Sequence, residues 1–232
     1  MIKTISKELF LKESMNALDN MLESLKGKPS LNIDELNPEN TVLVMIDMIN
    51  GFCKGGNLYS PRVESLIDKT VRILKLCKER GIKVIAFADS HTEASPELKA
   101  YPVHCMRGTF ESEVIDELKA VGGYTLIEKN STNSFLEKEF QEWLKANPNI
   151  TNMIVIGDCT DICVEQFSNS AKAYFNIENR ESRIIVPMDA VETFDSEMHK
   201  AELLNVVSLY MMAGNGIELV KTIEGLGEGR YE

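Results

Sequence analysis

The hydrophobic residues of this chain form short continuous runs that alternate with longer stretches of mixed polarity. The runs are rich in Val and Ile, which is typical of buried strands. They cover residues 41–46, 83–88, 124–128, 153–156, 183–188 and 217–220. Between them, apolar residues recur with helical spacing over 60–77, 111–120, 134–146, 160–174 and 196–212. The pattern therefore predicts strands that alternate with helices.

Alternating strands and helices favour right-handed crossovers and a parallel sheet covered on both faces. We expect an α/β, three-layer doubly wound fold with a six-stranded, mainly parallel sheet over residues 39–232. Residues 1–38 are expected to form an N-terminal helical extension and linker, because the helical spacing of 3–25 gives way to Gly27, Pro29 and Pro38. This extension would pack on the main domain or on a partner subunit.

Composition narrows the class of protein. At 232 residues and 44% hydrophobic content, the chain can bury one sizeable core. The net charge of −11 opposes binding to nucleic acid or to an anionic membrane. Five cysteines without a C-x-x-C pair fit a reducing compartment, and charges interrupt the apolar residues of the N-terminus. We therefore expect a cytoplasmic protein that binds neither nucleic acid nor membrane.

Reactive side chains follow four of the predicted strands. Asp47, Asp89 and Lys129 come directly after the first three, and the turn that carries Cys163 follows the fourth. Ligands of parallel sheets bind beyond the carboxyl ends of the strands. The sequence therefore predicts that two acids, a lysine and a thiol meet at one edge of the sheet.

Cys163 is predicted to lie in the first turn of a helix capped by Thr160 or Asp161. Backbone N–H groups at a helix start favour the thiolate and can hold an oxyanion. The alternatives are an inert buried cysteine and a purely structural ion pair between Asp47 and Lys129. We prefer the catalytic interpretation, because all three residues converge on the same sheet edge.

Nucleotide-binding signatures are absent from the sequence. No G-x-x-x-x-G-K-[ST] motif occurs, and the first strand is followed by an acid and an aromatic residue where a dinucleotide-binding fold has glycines. We expect no nucleotide cofactor.

Four motifs together resemble a known family. IDMINGF, ADSH followed by YPVHCMRGT, EKNSTNSF and GDCTDICV occur in the order found in the isochorismatase-like cysteine hydrolases, and within that family they are most similar to the nicotinamidase branch. The resemblance covers residue 40 to the last strand. It implies a catalytic triad of Asp47, Lys129 and Cys163. It also implies an oxyanion hole from the backbone N–H groups of Cys159 and Cys163, with a cis peptide bond between Asp158 and Cys159.

The same resemblance implies a metal site and a substrate pocket. Asp89, His91 and His104 match the metal ligands of nicotinamidases, and Phe52 and Tyr101 match the aromatic residues that face the pyridine ring. Such an oxygen and nitrogen ligand set suits Zn²⁺, with iron or manganese as alternatives. Glu93, Glu97 and Cys105 are the candidates for a fourth protein ligand. We choose Glu97, because its spacing from His104 resembles that of some nicotinamidases.

The function implied is hydrolysis of nicotinamide to nicotinate and ammonia through a cysteine thioester, in NAD salvage, by a homo-oligomer. One alternative is a cysteine amidohydrolase of the same family that acts on another small amide. A second is a catalytically idle member that serves as a binding module. The sequence departs from the family pattern in its N-terminal extension and at Cys159 and Ile162. We assign no role to His199, which is expected on the surface of the last helix.

Overall fold

A computed structural model describes residues 6–225. Its first helix, α1, spans Lys7–Leu25, and the Ser6 side chain caps it by accepting a hydrogen bond from the Leu9 N–H at 3.1 Å. Residues 3–5 of the predicted helix lie outside the described residues. Within the described part of the chain, every helix is too short or too polar to cross a membrane.

The centre of the fold is a parallel sheet, as the alternating pattern predicts. Its strands are β2 (Thr41–Ile46), β3 (Lys83–Asp89), β4 (Thr125–Lys129), β5 (Asn152–Asp158), β6 (Arg183–Pro187), β7 (Val191–Glu192) and β8 (Glu218–Val220). Six of them form the main path in the order β4-β3-β2-β5-β6-β8, and the short β7 pairs with the end of β5. The seven-stranded α/β fold confirms the predicted class and adds β7.

Helices cover both faces of the sheet, with a hydrophobic core on each side. They are α2 (Asn50–Cys53), α3 (Pro61–Glu64), α4 (Ile67–Glu79), α5 (Asp116–Val121), α6 (Lys138–Ala146), α7 (Glu165–Ile177) and α8 (Ala201–Gly214). Alternate residues of β2 enter opposite cores: Val42 and Val44 face one layer, and Leu43 and Met45 face the other. The continuous apolar runs therefore reflect burial on both faces.

The predicted bounds of several helices are wrong. The helix predicted over 60–77 is divided into two helices, α3 and α4. The one predicted over 111–120 begins only at Asp116, because Val114 forms a β-bridge with Ile49. The one predicted over 134–146 begins at Lys138 after a 3₁₀ turn, and the one predicted over 196–212 begins at Ala201. In each case helical spacing continued into residues that have another backbone conformation.

The N-terminal segment contributes to the fold beyond α1. A two-residue strand, β1 (Leu31–Asn32), pairs in parallel with β9 (Ile223–Glu224). Ile33 and Leu36 are buried in the core next to them, although this stretch reads as a linker. Helix α1 packs against α8. The division of the chain at residue 38 stays a prediction.

The strand β5 continues beyond its apolar run to Asp158 and passes very close to β2. Gly157 has φ +114°, and a Cβ atom there would lie 2.0 Å from the Ile46 carbonyl oxygen. Only glycine permits this approach. The strand order places the ends of β4, β3, β2 and β5 side by side, and Asp89 is directly in register with Lys129. The predicted reactive residues are thus brought to one sheet edge.

Candidate active site

A buried ion cluster lies at this sheet edge. The Lys129 ammonium is 2.8 Å from Asp47 Oδ2 and 2.5 Å from Asp89 Oδ1, and it also donates to the Ser131 carbonyl oxygen at 3.2 Å. All three charged side chains are almost fully removed from solvent. Because two carboxylates share one ammonium, the three groups hold each other in a fixed arrangement.

Asp47 is placed by the backbone at the end of β2. It has φ +54°, and its Oδ1 accepts a hydrogen bond from the Asp89 N–H at 3.0 Å. Its Oδ2 contacts the Lys129 ammonium but has no aligned hydrogen-bond partner among residues 6–225. Burial raises the pKa of Asp47 to about 7, although the Lys129 ammonium and the Cys163 thiol oppose the rise. Oδ2 is therefore suited to gain and lose a proton near neutral pH.

The other two members of the cluster remain charged. Burial disfavours the carboxylate of Asp89, but Lys129 and the two neighbouring histidines outweigh it and hold the pKa of Asp89 well below its usual range. Burial likewise disfavours the Lys129 ammonium, but Asp47 and Asp89 raise the pKa of that lysine well above its usual value. The lysine is therefore a permanent positive charge next to Asp47.

Cys163 lies in a single π-helical turn, Thr160–Val164, that leads into α7. Its Sγ is 3.7 Å from the Lys129 Nζ. The N-cap residue is Cys159, so the predicted cap at Thr160 or Asp161 is wrong. The peptide bond between Asp158 and Cys159 is cis, as the resemblance implies.

The turn also orients backbone donors. The Ile162 and Val164 N–H groups both donate to the Cys159 carbonyl oxygen at 3.1 Å. These two bonds use neither the Cys159 nor the Cys163 N–H, which are the two predicted oxyanion-hole donors. Their assignment as that site stays a prediction.

The protonation state of Cys163 differs from the sequence-based expectation. Burial raises the pKa of the thiol well above its usual value; Lys129 lowers it, and the carboxylates of Asp47 and Asp89 raise it further. The expectation that the helix start would favour a resting thiolate is therefore wrong. The thiol keeps its proton until a base accepts it, and Asp47 is the acid group beside it that can do so.

A second cluster, adjacent to the first, can hold a metal ion. Asp89, His91 and His104 each offer a ligand atom, and these atoms lie within 4.8 Å of one another. His91 Nδ1 lies 3.1 Å from Asn130 Oδ1, and His104 Nδ1 lies 2.7 Å from the Pro102 carbonyl oxygen. Both Nε2 atoms lie 3.6 Å from Asp89 Oδ2, and that of His91 is buried without a hydrogen-bond partner among the described residues. A histidine that binds a metal typically has one ring nitrogen held by a hydrogen bond, while the other keeps its lone pair for the metal.

The candidates for a fourth ligand differ in position. Glu97 Oε1 lies 3.9 Å from His91 Nε2, and Glu97 Oε2 accepts a hydrogen bond from the Thr132 N–H at 3.1 Å. Glu93 is exposed. Cys105 is fully buried, and burial raises the pKa of its thiol far above the usual value. Glu97 as the fourth ligand stays a prediction, and its carboxylate lies beside the cluster.

The Glu97 assignment can be tested by metal retention. Glu97→Ala is expected to lose metal faster than wild type during dialysis against a chelator and to raise KM more than it lowers kcat, because a ligand is removed but the thiol remains. Metal content per chain, measured by mass spectrometry, checks the first effect. Glu93→Ala is the matched control and should behave as wild type. Equal metal loss in the two variants would contradict the assignment.

A cavity of about 410 Å³ opens over both clusters. Cys163, Asp89 and His104 line it, together with the predicted substrate-binding residues Phe52 and Tyr101. The Phe52 and Tyr101 rings lie 5.9 and 6.1 Å from the His104 ring. A wider groove of about 720 Å³, lined by residues from 151 to 183, contains none of the predicted site residues. The smaller cavity is therefore the candidate active site.

Sequence reasoning missed part of this cavity. Asp158, Tyr59 and Phe194 also line it. The sequence does indicate Asp158, because it follows an apolar run in the same way as Asp47 and Asp89. It is buried, and this burial and the nearby Asp47 raise the pKa of Asp158 well above its usual value. Phe194 belongs to a loop distant in sequence, so no local signal identified it.

His199 is not a simple surface residue as expected. Its Nε2 lies 2.7 Å from Asp161 Oδ2, and its ring stacks on Phe194. Its side chain is only 20% exposed. The expectation failed because the two partners come from separate parts of the chain.

The position of Cys163 predicts selective alkylation. We expect a small thiol reagent to modify Cys163 far faster than Cys77 at neutral pH, because Cys163 faces the cavity beside Lys129. Cys77 lies in the core, where burial raises the pKa of its thiol to about 12. Peptide mapping with fragment ions checks this and separates Cys163 from Cys159, which also lines the cavity. Modification of Cys77 or Cys105 first, with activity intact, would contradict it.

Comparison of the sequence with known proteins identifies a family and a relative. The isochorismatase domain family matches residues 41–214. Nicotinamidase 1 of Arabidopsis thaliana is 31% identical over 231 residues, which are 84% of this chain and 94% of that protein.

Solved structures share the fold. N-carbamoylsarcosine amidase from Thermoplasma acidophilum has a TM-score of 0.65 and 27% identity, over 78% of this chain and 96% of that one. The pyrazinamidase of Pyrococcus horikoshii in complex with zinc has a TM-score of 0.64 and 22% identity, over 78% and 99% of the two chains. The second likeness concerns the fold alone. With the family match covering most of the sheet and all the clustered residues, the chain belongs to the isochorismatase family.

Proposed function

We propose that this protein hydrolyses nicotinamide to nicotinate and ammonia through a thioester on Cys163. The observation that carries the proposal is the placement of the Cys163 sulfur 3.7 Å from a lysine that also contacts Asp47. Membership of the isochorismatase family makes the chain an amidohydrolase that acts on non-peptide C–N bonds. The similarity to Nicotinamidase 1 supports nicotinamide as the substrate.

The cavity suits a small planar amide. Its volume of about 410 Å³ falls at the low end of the range for small-molecule sites. The Phe52 and Tyr101 rings flank the His104 ring, so a flat heteroaromatic substrate can lie against aromatic surface near Cys163. The similarity to N-carbamoylsarcosine amidase favours a different small amide as the alternative substrate.

In the first step the Cys163 sulfur attacks the carboxamide carbon. Asp47 Oδ2 accepts the thiol proton as the C–S bond forms, since its pKa of about 7 lets it act as a base near neutrality. The carbonyl oxygen becomes an oxyanion. The backbone N–H groups of Cys159 and Cys163 are the proposed donors to it.

Asp47 then returns the proton to the amide nitrogen, the C–N bond breaks, and ammonia leaves a thioester on Cys163. Water attacks the thioester carbon, Asp47 accepts one of its protons, and the second tetrahedral intermediate collapses to nicotinic acid, which loses its proton to solvent as nicotinate. The departing thiolate regains the proton held by Asp47. Lys129 stays protonated throughout and stabilises the negative charge on sulfur and on Asp47.

Asp89, His91 and His104, with Glu97 as the proposed fourth ligand, would hold a divalent transition metal. We propose zinc, with iron or manganese as alternatives, and the zinc-bound pyrazinamidase of the same fold supports it. A metal held there would supply a Lewis-acid contact for a heteroaromatic nitrogen and would so help to orient the carboxamide over Cys163. The cytoplasmic location, the homo-oligomer and the role in NAD salvage stay predictions.

Metal analysis combined with an ammonia-release assay tests the proposed function. Purified protein with its bound metal is expected to release ammonia from nicotinamide and to form nicotinate in equal amount. N-carbamoylsarcosine and benzamide are the comparison substrates, since one lacks the ring and the other lacks the ring nitrogen. Turnover of another amide but not of nicotinamide would establish the alternative substrate. No turnover of any amide by folded, metal-loaded protein would indicate an idle binding module.

A further inference from the structure

The loop of residues 193–199, between β7 and α8, forms one wall of the cavity. Phe194, Asp195 and Ser196 line the cavity from this side. Two hydrogen bonds close the loop on itself: the Ser196 N–H donates to the His199 carbonyl oxygen at 2.8 Å, and His199 Nδ1 lies 3.0 Å from the Phe194 carbonyl oxygen. His199 therefore fixes the backbone next to Phe194.

The same imidazole connects the loop to the nucleophile turn. Its ring stacks on the Phe194 ring with centroids 3.8 Å apart and an interplanar angle of 9°. Its Nε2 lies 2.7 Å from Asp161 Oδ2, and Asp161 precedes Cys163 by two residues in the π-helical turn. One side chain thus contacts the backbone and the ring of Phe194 as well as the turn that presents the thiol.

The burial of these groups distinguishes this contact from a surface ion pair. The His199 and Asp161 side chains are 20% and 13% exposed. Met198, in contrast, is 92% exposed, and Glu197 is also exposed. Partly buried pairs are screened less by water than exposed ones. The Lys200–Asp195 ion pair at the same loop, at 3.7 Å, is exposed. His199 therefore provides the partly buried contact between this loop and the nucleophile turn.

We propose that His199 is a positioning residue for amide hydrolysis. It holds Phe194 next to the nucleophile turn and so sets the width of the substrate cavity. We call the contacts of His199 with Phe194 and Asp161 the latch. Without the latch, the Phe194 ring loses its stacking partner and the loop loses its link to Asp161. The substrate would then bind less tightly, whereas the bond-making groups Asp47, Lys129 and Cys163 would stay in place. The substrate readout of this inference rests on the proposed function.

Kinetics of five variants test this role of His199. His199→Ala is expected to raise KM for nicotinamide about 10-fold and to change kcat less than about 3-fold, the signature of lost ground-state binding. His199→Phe keeps a ring against Phe194 but removes both nitrogen contacts, so it should give an intermediate KM. Because His199 acts through Phe194, the double variant His199→Ala/Phe194→Ala should have the KM of Phe194→Ala alone. Met198→Ala, on the same loop, is the control and should match wild type.

Thiol labelling gives a readout that needs no turnover. A bulky maleimide is expected to modify Cys163 about 5-fold faster in His199→Ala than in wild type, because the cavity mouth widens. Protein that does not hydrolyse nicotinamide can still show this change, so failure of the proposed function and failure of the latch are distinguishable. The proposal is overturned if His199→Ala and His199→Phe both fold and leave the labelling rate unchanged. It is also overturned if the effects of His199→Ala and Phe194→Ala on KM multiply independently.

Discussion

Replacing Cys163 with alanine is expected to abolish the proposed hydrolysis of nicotinamide, with kcat at least ~10⁴-fold below that of wild type. No other thiol is placed to substitute for it. Cys53, Cys77 and Cys105 are fully buried. Cys159 lines the cavity, but burial and the neighbouring Asp158 and Cys163 raise the pKa of its thiol well above the usual value. Without a sulfur at position 163, no thioester can form, and water would have to attack the unactivated amide directly.

This result is informative only if the variant keeps the rest of the site. Cys163→Ala should retain the proposed metal and bind the proposed substrate as wild type does, since Asp89, His91, Phe52 and Tyr101 are unchanged. Calorimetric binding and metal content check this. Cys77→Ala is the matched control: it loses a core sulfur and some stability, but its kcat should equal that of wild type. Residual turnover within ~10-fold of wild type in Cys163→Ala would require another nucleophile, and Cys159 would be the next candidate.

The sheet edge and its ion cluster could be predicted because their signals are local. An apolar run followed by a charged residue places that residue at a strand end wherever the strand lies in the sheet. Asp47, Asp89 and Lys129 each carry this signal, and parallel pairing places them at the same edge of the sheet whatever the strand order. The order in fact makes their three strands neighbours, so one ammonium can contact both carboxylates.

The remaining features depend on contacts between distant segments. Helical spacing over 111–120 gave no indication that Val114 would bridge to Ile49, and α5 starts later for that reason. The interaction of His199 with Asp161 joins residues 38 positions apart. Periodicity reports which side of an element is buried, but it does not report which element covers it.

The charge state of the thiol could not be predicted for a related reason. A helix start and a lysine both favour thiolate, and both are visible in the sequence around Cys163 and Lys129. Burial opposes them, and its extent depends on the packed structure. Because the thiol keeps its proton at rest, the attack needs a base, and Asp47 is the proposed one.

Lys129→Met is expected to lower kcat by at least ~10²-fold, the scale of losing one charge-stabilising donor. Methionine has a similar length and fills the same space, but it removes the positive charge between Asp47 and Asp89. Both carboxylates are buried, so in this variant one or both would take up a proton at neutral pH. A protonated Asp47 cannot accept the thiol proton, and the attack of Cys163 slows.

The same substitution is expected to destabilise the fold, because it leaves buried acids without their partner. Breaking a buried ion pair from one side costs about 3–5 kcal/mol of unfolding free energy, to be measured by urea denaturation at neutral pH. Lys138→Met, at a side chain that is 89% exposed, is the control and should alter neither stability nor kcat beyond error. A folded Lys129→Met variant with near-normal kcat would show that the lysine serves only to hold Asp47 and Asp89 together. If kcat falls in a variant that is fully folded under assay conditions, the positive charge of Lys129 contributes to the reaction itself.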